Sequence, residues 1–332
     1  MNSILVTGGT GFIGSHTCID LIKNGFKLYI VDSNINSSVL VIQRINKILK
    51  KNRINLKKVL IFEKGDIRDS EFLKKVFLRA IEDKNPIDAV IHFAGLKAVS
   101  ESVSEPMVYW DNNVLGTFTL LNVMREFSCY TIVFSSSATL YGNVKSGKIS
   151  ETSSLIPNNP YGQTKAAIEF MLEGLFKSSI DSWKIASLRY FNPIGAHQSG
   201  LLGEDPNDLP NNLFPLICGV AQGKYSKLKI FGKDWPTSDG TCIRDYIHVM
   251  DLADAHTKAL IFLLKNDPQY TVLNIGTGIG TTVLELVETF KKVNQISISY
   301  EFSDRRFGDV PYLVANNSKA VKQLGWLPQR NI

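Results

Sequence analysis

The sequence has no run of about 18 apolar residues, the length a helix needs to cross a bilayer, so no membrane span is expected. Cysteine is scarce. The four present, Cys18, Cys129, Cys218 and Cys242, stand far apart and outside any Cys-x-x-Cys or histidine spacing. That scatter excludes a thiolate metal site or a disulfide framework and leaves ordinary thiols, at home in a reducing compartment. Internal repeats and low-complexity tracts are also missing. The first strand-like stretch opens at Ser3, which leaves no room for the charged and apolar regions of a leader. The cytoplasm is therefore the expected location.

Charge of one sign dominates only locally. The net formal charge is +6, and "KILKKNRINLKK" from Lys47 to Lys58 holds six cations and no acid. That segment lacks any aromatic residue on which a base could stack, so it reads as a solvated helix and loop face, not as a nucleic-acid site. A modest positive field also suits a small anionic substrate.

With 332 residues, 44% of them hydrophobic, the chain can bury a full core in one large or two small domains. Short β-branched runs at Ser3–Val6, Leu28–Val31, Val59–Phe62, Ala89–Phe93, Thr131–Phe134 and Ile185–Leu188 read as strands. Between them, Phe12–Lys23, Ser70–Ile81, Met107–Arg125 and Tyr161–Phe176 carry helical periodicity. This alternation predicts an α/β fold with a doubly wound parallel sheet and right-handed crossovers. After Asn192 the rhythm breaks, and Gly, Pro, Asn and Asp crowd 193–212 and 231–240. The expectation is a Rossmann-type domain over residues 1–191 and a smaller, loop-rich α/β substrate lobe over 192–332, some of whose segments return to the first domain. The lobe is expected at the carboxyl edge of the sheet, where open α/β sheets bind ligands.

The stretch "VTGGTGFIGSH" joins the first strand to the first helix. Gly8 allows a tight turn, Gly11 a close approach of backbone to pyrophosphate, and Gly14 close packing of helix on strand. The helix N-terminus offers free N–H groups to phosphate oxygens. Asp32, at the end of the second strand, is placed to accept from both ribose hydroxyls and to repel a 2′-phosphate. The spacing G-x-x-G-x-x-G departs from the commoner G-x-G-x-x-G, and the strand–turn–helix–strand–acid context carries the reading. A dinucleotide is implied, NAD over NADP.

In "NPYGQTKAAIE", Tyr161 and Lys165 stand four apart on a predicted helix, so they share one face. A phenol with its usual pKa of about 10 is a poor base at neutral pH. A nearby ammonium and the charge of an oxidised nicotinamide would stabilise the phenolate, which could then take a proton from an alcohol. Ser137, in "VFSSSATLYG" at the end of the fifth strand, is the hydroxyl placed to relay that proton. Tyr161, Lys165 and Ser137 are the expected catalytic residues.

Together "TGGTGFIGSH", "FAGLKAVSESV", "YWDNNVLGT", "SSSATLYG", "YGQTK", "RYFNPIGAH", "PNNLFP", "DGTCIRDYIHVMDLADAH" and "RRFGDV" resemble the UDP-galactose (UDP-hexose) 4-epimerases, which are extended short-chain dehydrogenases/reductases. The resemblance runs from Met1 to about Pro328. It implies that NAD touches Gly8, Gly11, Phe12, Ile13, Asp32, Asp66, Ile67, Phe93, Ala94, Gly95, Lys97, Asn112, Ser137, Tyr161, Lys165 and Phe191. Asn36 and Ser37 belong to the same adenine–ribose contacts. Ser33 departs from the Asn usual in the family, so those contacts are expected to be altered, not lost.

For the UDP-sugar the resemblance implies Asn192, Asn212, the strand with Leu228, Lys229 and Phe231, Arg244, Arg306 and Asp309, beside Lys97, Ser137 and Tyr161. Arg244 and Arg306 suit a diphosphate, and Asp309 can accept from a ribose or uracil donor. In "GDVPYLVAN", Leu313 falls where the family sets the size of the sugar pocket, so N-acetylated UDP-hexoses are expected beside UDP-glucose and UDP-galactose. The implied reaction is a closed redox loop through a transient 4-keto sugar, with NAD a permanent tool. A homodimer packed through Met107–Arg125 and Tyr161–Phe176 is also implied. Two alternatives share parts of this pattern. A 4,6-dehydratase would need an acidic pair where Ala138 and Thr139 stand, and a non-catalytic NAD sensor would have no need of Tyr161, Lys165 and Ser137.

Overall fold

The computed structural model describes residues 1–50, 56–142, 147–206, 210, 212–306 and 309–331. The middle of the basic run (51–55), Asn211 of "PNNLFP" and 307–308 of "RRFGDV" lie outside these described residues.

Six strands follow in chain order: β1 (Ser3–Thr7), β2 (Lys27–Asp32), β3 (Leu60–Lys64), β4 (Ile87–His92), β5 (Thr131–Ser137) and β6 (Lys184–Tyr190). A seventh, Gln269–Ile275, joins them, and the sheet runs Gln269–Ile275, β6, β5, β4, β1, β2, β3. Every neighbouring pair is parallel. Such a sheet must be covered on both faces, and the near-continuous burial of β1, β2 and β5 reflects this. One face packs Cys18, Ile19 and Ile22 of helix α1 (Phe12–Lys23) against Leu252, Ala255 and Leu260 of the helix Val249–Lys265. The other packs Leu73, Val76 and Phe77 with Leu120, Met124, Ile168 and Leu172.

The order reverses between β1 and β4, so their loops part and open a crevice at the carboxyl edge. Two features differ from the sequence expectations. The seventh strand comes from beyond Asn192, carried by "QYTVLNI" in an otherwise loop-rich half. The expected helix Met107–Arg125 is also not uniform: Pro106–Tyr109 and Gly116–Glu126 are α-helical, but Trp110–Leu115 between them forms a π-helix. The wider turn gives its two asparagines different tasks. Asn112 lines the crevice. Asn113 is bonded to Leu96 N at 2.8 Å and Leu96 O at 3.1 Å, and to Thr164 Oγ1 at 3.2 Å. Such π-turns are frequent at functional sites.

The remainder forms the lobe. Three small sheets pair Asn192–Ile194 with Tyr246–His248, Leu228–Phe231 with Tyr300–Ser303, and Ile243–Arg244 with Thr281–Thr282 and Tyr312–Leu313. A core of Ile217, Leu228, Ile230, Tyr246, Leu286 and Val287 holds them together. The stretch "DGTCIRDYIHVMDLADAH" is divided between the two parts, its strands in the lobe and its helix on the sheet beside α1.

Candidate active site

The crevice is a cavity of about 560 Å³. Its floor is the glycine turn after β1. Gly8 takes a φ of 71°, in the left-handed region. A Cβ on Gly14 would lie 2.3 Å from the Gly8 carbonyl oxygen, so α1 packs against the turn only because no side chain intervenes. Gly11 caps α1 without a side-chain hydrogen bond. The first-turn N–H groups therefore remain for an anion, with the positive end of the helix dipole behind them.

Asp32 is buried at the end of β2, 8% exposed, where a lone carboxylate would be costly. Three donors settle it: Thr10 N at 3.0 Å, Asn34 N at 2.9 Å and Ser37 Oγ at 3.0 Å. Asn34 follows Ser33 in a left-handed conformation, φ 57°. Its amide donates to Thr10 Oγ1 at 2.9 Å and Ser37 Oγ at 3.0 Å. The carboxylate still has lone pairs for ligand hydroxyls.

All residues expected for the dinucleotide line this one cavity: Gly8, Gly11, Phe12, Ile13, Gly14, Asp32, Asn36, Ser37, Asp66, Ile67, Phe93, Ala94, Gly95, Lys97, Asn112, Ser137, Tyr161, Lys165 and Phe191. The donor set fits NAD: a glycine cradle for a pyrophosphate, and an acid where a 2′-phosphate would sit. Asp66 is paired with the Arg68 guanidinium at 2.6 Å, which holds its carboxyl below the usual range.

Tyr161, Lys165 and Ser137 meet at one wall of the cavity. Asn159 caps the helix Pro160–Ser178 by accepting from Gly162 N, which sets Tyr161 and Lys165 on its first turns. Lys165 is 4% exposed; its Nζ donates to Ser135 O at 2.8 Å and lies 4.8 Å from the Phe134 ring centroid. Burial pushes the Lys165 ammonium down to about 8, with Glu169 opposing the shift. Tyr161 departs from the sequence argument: burial raises its phenol, and the Ser137 hydroxyl works the other way. The ammonium is 5.9 Å from the phenol ring centroid and bonded elsewhere, so burial outweighs it in the protein alone.

The substrate residues divide. Asn192 and Asn212 line the cavity; Leu228, Lys229, Phe231, Arg244, Arg306, Asp309 and Leu313 lie beyond its walls. Four of them form a separate corner. Arg244 Nη2 donates to Asp309 Oδ1 at 2.9 Å, and Arg306 stacks 3.9 Å from the Phe231 ring centroid. Asp309 is thus held by Arg244 itself. The Leu228 side chain is 1% exposed in the lobe core, which leaves only its backbone for a ligand, and Lys229 points to solvent. Leu313 packs on the cluster of Ala138, Tyr141 and Phe191, next to the cavity wall.

Three further residues were not singled out in the sequence. Glu204, at the cavity rim, accepts from Lys97 Nζ at 2.7 Å and Asn212 Nδ2 at 2.6 Å. Tyr190 lines the cavity and bonds the Ser135 hydroxyl. Arg189 is buried against Glu169 behind Lys165. Arg189 and Tyr190 open "RYFNPIGAH", where nothing local marks their roles, and an acid in a Gly-Glu-Asp-Pro loop carries no signal by itself.

A family profile described as GDP-mannose 4,6 dehydratase matches residues 5–332. The UDP-glucose 4-epimerase of Bacillus subtilis (strain 168) is 47% identical over 330 residues, 99% of this chain and 93% of that protein. Among solved structures, the UDP-glucose 4-epimerase of Stenotrophomonas maltophila, with bound NAD and formylated UDP-arabinopyranose, superposes with a TM-score of 0.93. It is 42% identical and covers 100% of this chain and 94% of its own. The UDP-Glc/GlcNAc 4-epimerase of Campylobacter jejuni follows with a TM-score of 0.83 at 34% identity, covering 100% of this chain and 95% of that one. Ala138 and Thr139 stand where a dehydratase would carry its acidic pair, and Thr139 Oγ1 is spent on Ser137 Oγ at 3.0 Å. By full-length identity, fold and glycine cleft together, the chain belongs to the UDP-glucose 4-epimerase family of extended short-chain dehydrogenases/reductases.

Proposed function

We propose that this protein is an NAD-dependent 4-epimerase that interconverts UDP-glucose and UDP-galactose and also accepts the N-acetylated pair. The observation that carries the reading is the meeting of Tyr161, Ser137 and Lys165 at one wall of the glycine-floored cavity. The turn Gly8–Gly14 and the α1 N-terminus hold the NAD pyrophosphate, and Asp32 takes the adenosine ribose. NAD, when bound, supplies a hydride acceptor at the sugar's C4 and a positive charge beside Tyr161. That charge and the Lys165 ammonium lower the phenol, which burial alone raises. Tyr161 removes the proton from the 4-hydroxyl with Ser137 as relay, and returns it after the 4-keto sugar has turned over.

The nucleotide end is assigned to the lobe. Arg244 and Arg306 hold the diphosphate, Asn192 and Asn212 its approach, and Asp309 with Lys229 and the backbone at Leu228 and Phe231 the uridine. Leu313 sets room for the 2-substituent. The helices expected at a homodimer interface expose Met107, Leu115, Phe118 and Phe170, which supports a dimer. Four free thiols, three of them buried, suit the cytoplasm.

The test is to offer the purified protein UDP-glucose, UDP-galactose, UDP-GlcNAc and UDP-GalNAc and to follow interconversion by NMR. Interconversion within each pair without added nucleotide is expected. No interconversion in either pair, with NAD bound, would leave the sensor alternative in its place.

A further inference from the structure

The mechanism above leaves one pair of buried charges without a task. Glu169 and Arg189 are 2% and 4% exposed, and Arg189 Nε donates to both carboxylate oxygens, at 3.0 and 3.1 Å. A buried ion pair is weak evidence for stability, because apolar residues of similar volume often serve as well. Its location points to a different reason. Glu169 lies one helical turn beyond Lys165, on the same face of the helix Pro160–Ser178.

The three serines that end β5 tie this pair to the reacting groups. The Ser135 carbonyl accepts from Lys165 Nζ at 2.8 Å, the Ser136 hydroxyl donates to Glu169 Oε1, and Ser137 stands at the cavity wall. One strand therefore fixes the ammonium, the carboxylate and the relay hydroxyl on successive residues. Arg189, on β6, is anchored in turn by Tyr141 OH at 3.0 Å and the Glu151 carbonyl at 3.3 Å.

We infer that Glu169 is a positioning residue for the proposed reaction, the counter-charge that keeps Lys165 protonated in an apolar wall, with Arg189 holding it in place. The inference rests on the epimerase reading for its rate effect but not for its electrostatics. Among the described residues, the other titratable groups around Lys165 cannot replace Glu169. His92, on β4, is held neutral, pushed down to about 3 by burial, with the Lys165 charge lowering it further. Burial raises both Tyr161 and Tyr190, and Tyr161 is the group that the ammonium serves, so neither is its standing counter-charge. On the helices packed against Pro160–Ser178, Glu101 accepts from Tyr109 OH at 2.7 Å and Asp111 is paired with Arg68. Glu173, further along the same helix, pairs with Lys177 at 2.6 Å.

The sign follows directly. Lys165 works as the ammonium, and its titration near 8 is already low because of burial. Loss of the Glu169 charge moves that titration further down, so the alkaline limb of the rate profile moves to lower pH. The Glu169 charge favours the ammonium, and an opposite charge about one helical turn away is worth about one pH unit or more.

The experiment compares wild type with Glu169→Gln, Glu169→Asp and the double variant Glu169→Gln/Arg189→Met. kcat/KM is measured for UDP-galactose from mildly acid to alkaline pH. In parallel, the Lys165 titration is followed by NMR in protein labelled with ¹³Cε-lysine and assigned with Lys165→Met. Glu169→Gln is expected to shift both readouts down by about one unit. The double variant, which leaves no unpaired arginine, is expected to shift them the same way by less, and Glu169→Asp to keep the wild-type pH dependence whatever its rate. If Glu169→Gln fails to fold, the double variant decides. A lower rate with unchanged pH dependence and unchanged Lys165 titration would reduce the pair to packing and overturn the inference. Because the NMR titration needs no turnover, an inactive wild type would overturn the epimerase reading and leave this one testable.

Discussion

The dinucleotide cleft and the lobe corner around Arg244 are both assigned to phosphates, yet they are built on opposite principles. The cleft uses mostly backbone: a contiguous turn from Gly8 to Gly14, a helix N-terminus without a side-chain cap, and Asp32 held by three donors, two of them backbone N–H groups. The corner uses side chains from segments distant in sequence, Arg244 and Asp309 being separated by 65 positions and already paired. A backbone cradle is built once the strand and helix form. A cation corner depends on the whole lobe closing correctly. Changes at the reacting wall should therefore leave nucleotide binding intact, and changes in the corner should leave NAD in place.

The largest effect is expected at the wall itself. Tyr161→Phe should lower turnover by about 10²-fold or more while NAD content and UDP affinity stay at wild-type values. Near-wild-type turnover would remove Tyr161 from the mechanism. Next comes Arg244→Ala, which should weaken UDP binding about 10- to 100-fold in calorimetry, the range for losing one charged hydrogen-bond donor. Loss of NAD alongside would break the contrast between cleft and corner.

What was legible in the sequence follows the same division. Phe12–Lys23 is helical as its periodicity predicts, and each of the six predicted strands overlaps an observed one, because apolar period and turn residues act locally. The glycine turn and the Tyr161–Lys165 spacing are local too. The strand Gln269–Ile275 is not legible locally because it sits among loop-rich segments, and tertiary pairing with β6 gives it its place. The π-turn at Trp110–Leu115 is invisible to a period of 3.6, since its register is set by Asn113 reaching Leu96 and Thr164 across the fold. Glu169 ends "NPYGQTKAAIE" and Arg189 opens "RYFNPIGAH", yet their roles, like that of Glu204, arise from partners 8 to 107 positions away.

A smaller effect sharpens the boundary between the two regions. Leu313 packs on the cluster that includes Ala138 and Phe191, so a larger residue there is expected to narrow the proposed sugar end. Leu313→Tyr should lower the UDP-GalNAc rate about 5- to 150-fold, the value of about 1–3 kcal/mol of overpacking, and spare UDP-galactose. If both rates fall together, or neither changes, Leu313 is not the gate.

The smallest effect is on stability and belongs to buried histidines of the sheet and the helices that cover it. Burial pushes His16 and His256 down to about 4 and His92 to about 3, from a usual 6.5. A depressed histidine is neutral in the folded state, so the unfolded chain takes the proton first as pH falls through 6.5. Each should cost about 1 kcal/mol of stability by about pH 5.5, read as an acid slope in denaturant midpoints that His16→Gln reduces. A flat profile would mean that these rings are charged when folded.

The central claim is that the same bound nucleotide serves both halves of one turnover. UDP-galactose carrying deuterium at C4 tests it most directly, given to the protein in ordinary water without added NAD. UDP-glucose that keeps the deuterium at C4 is expected. Product with hydrogen at C4, or no product until NAD is supplied in stoichiometric amount, would contradict it.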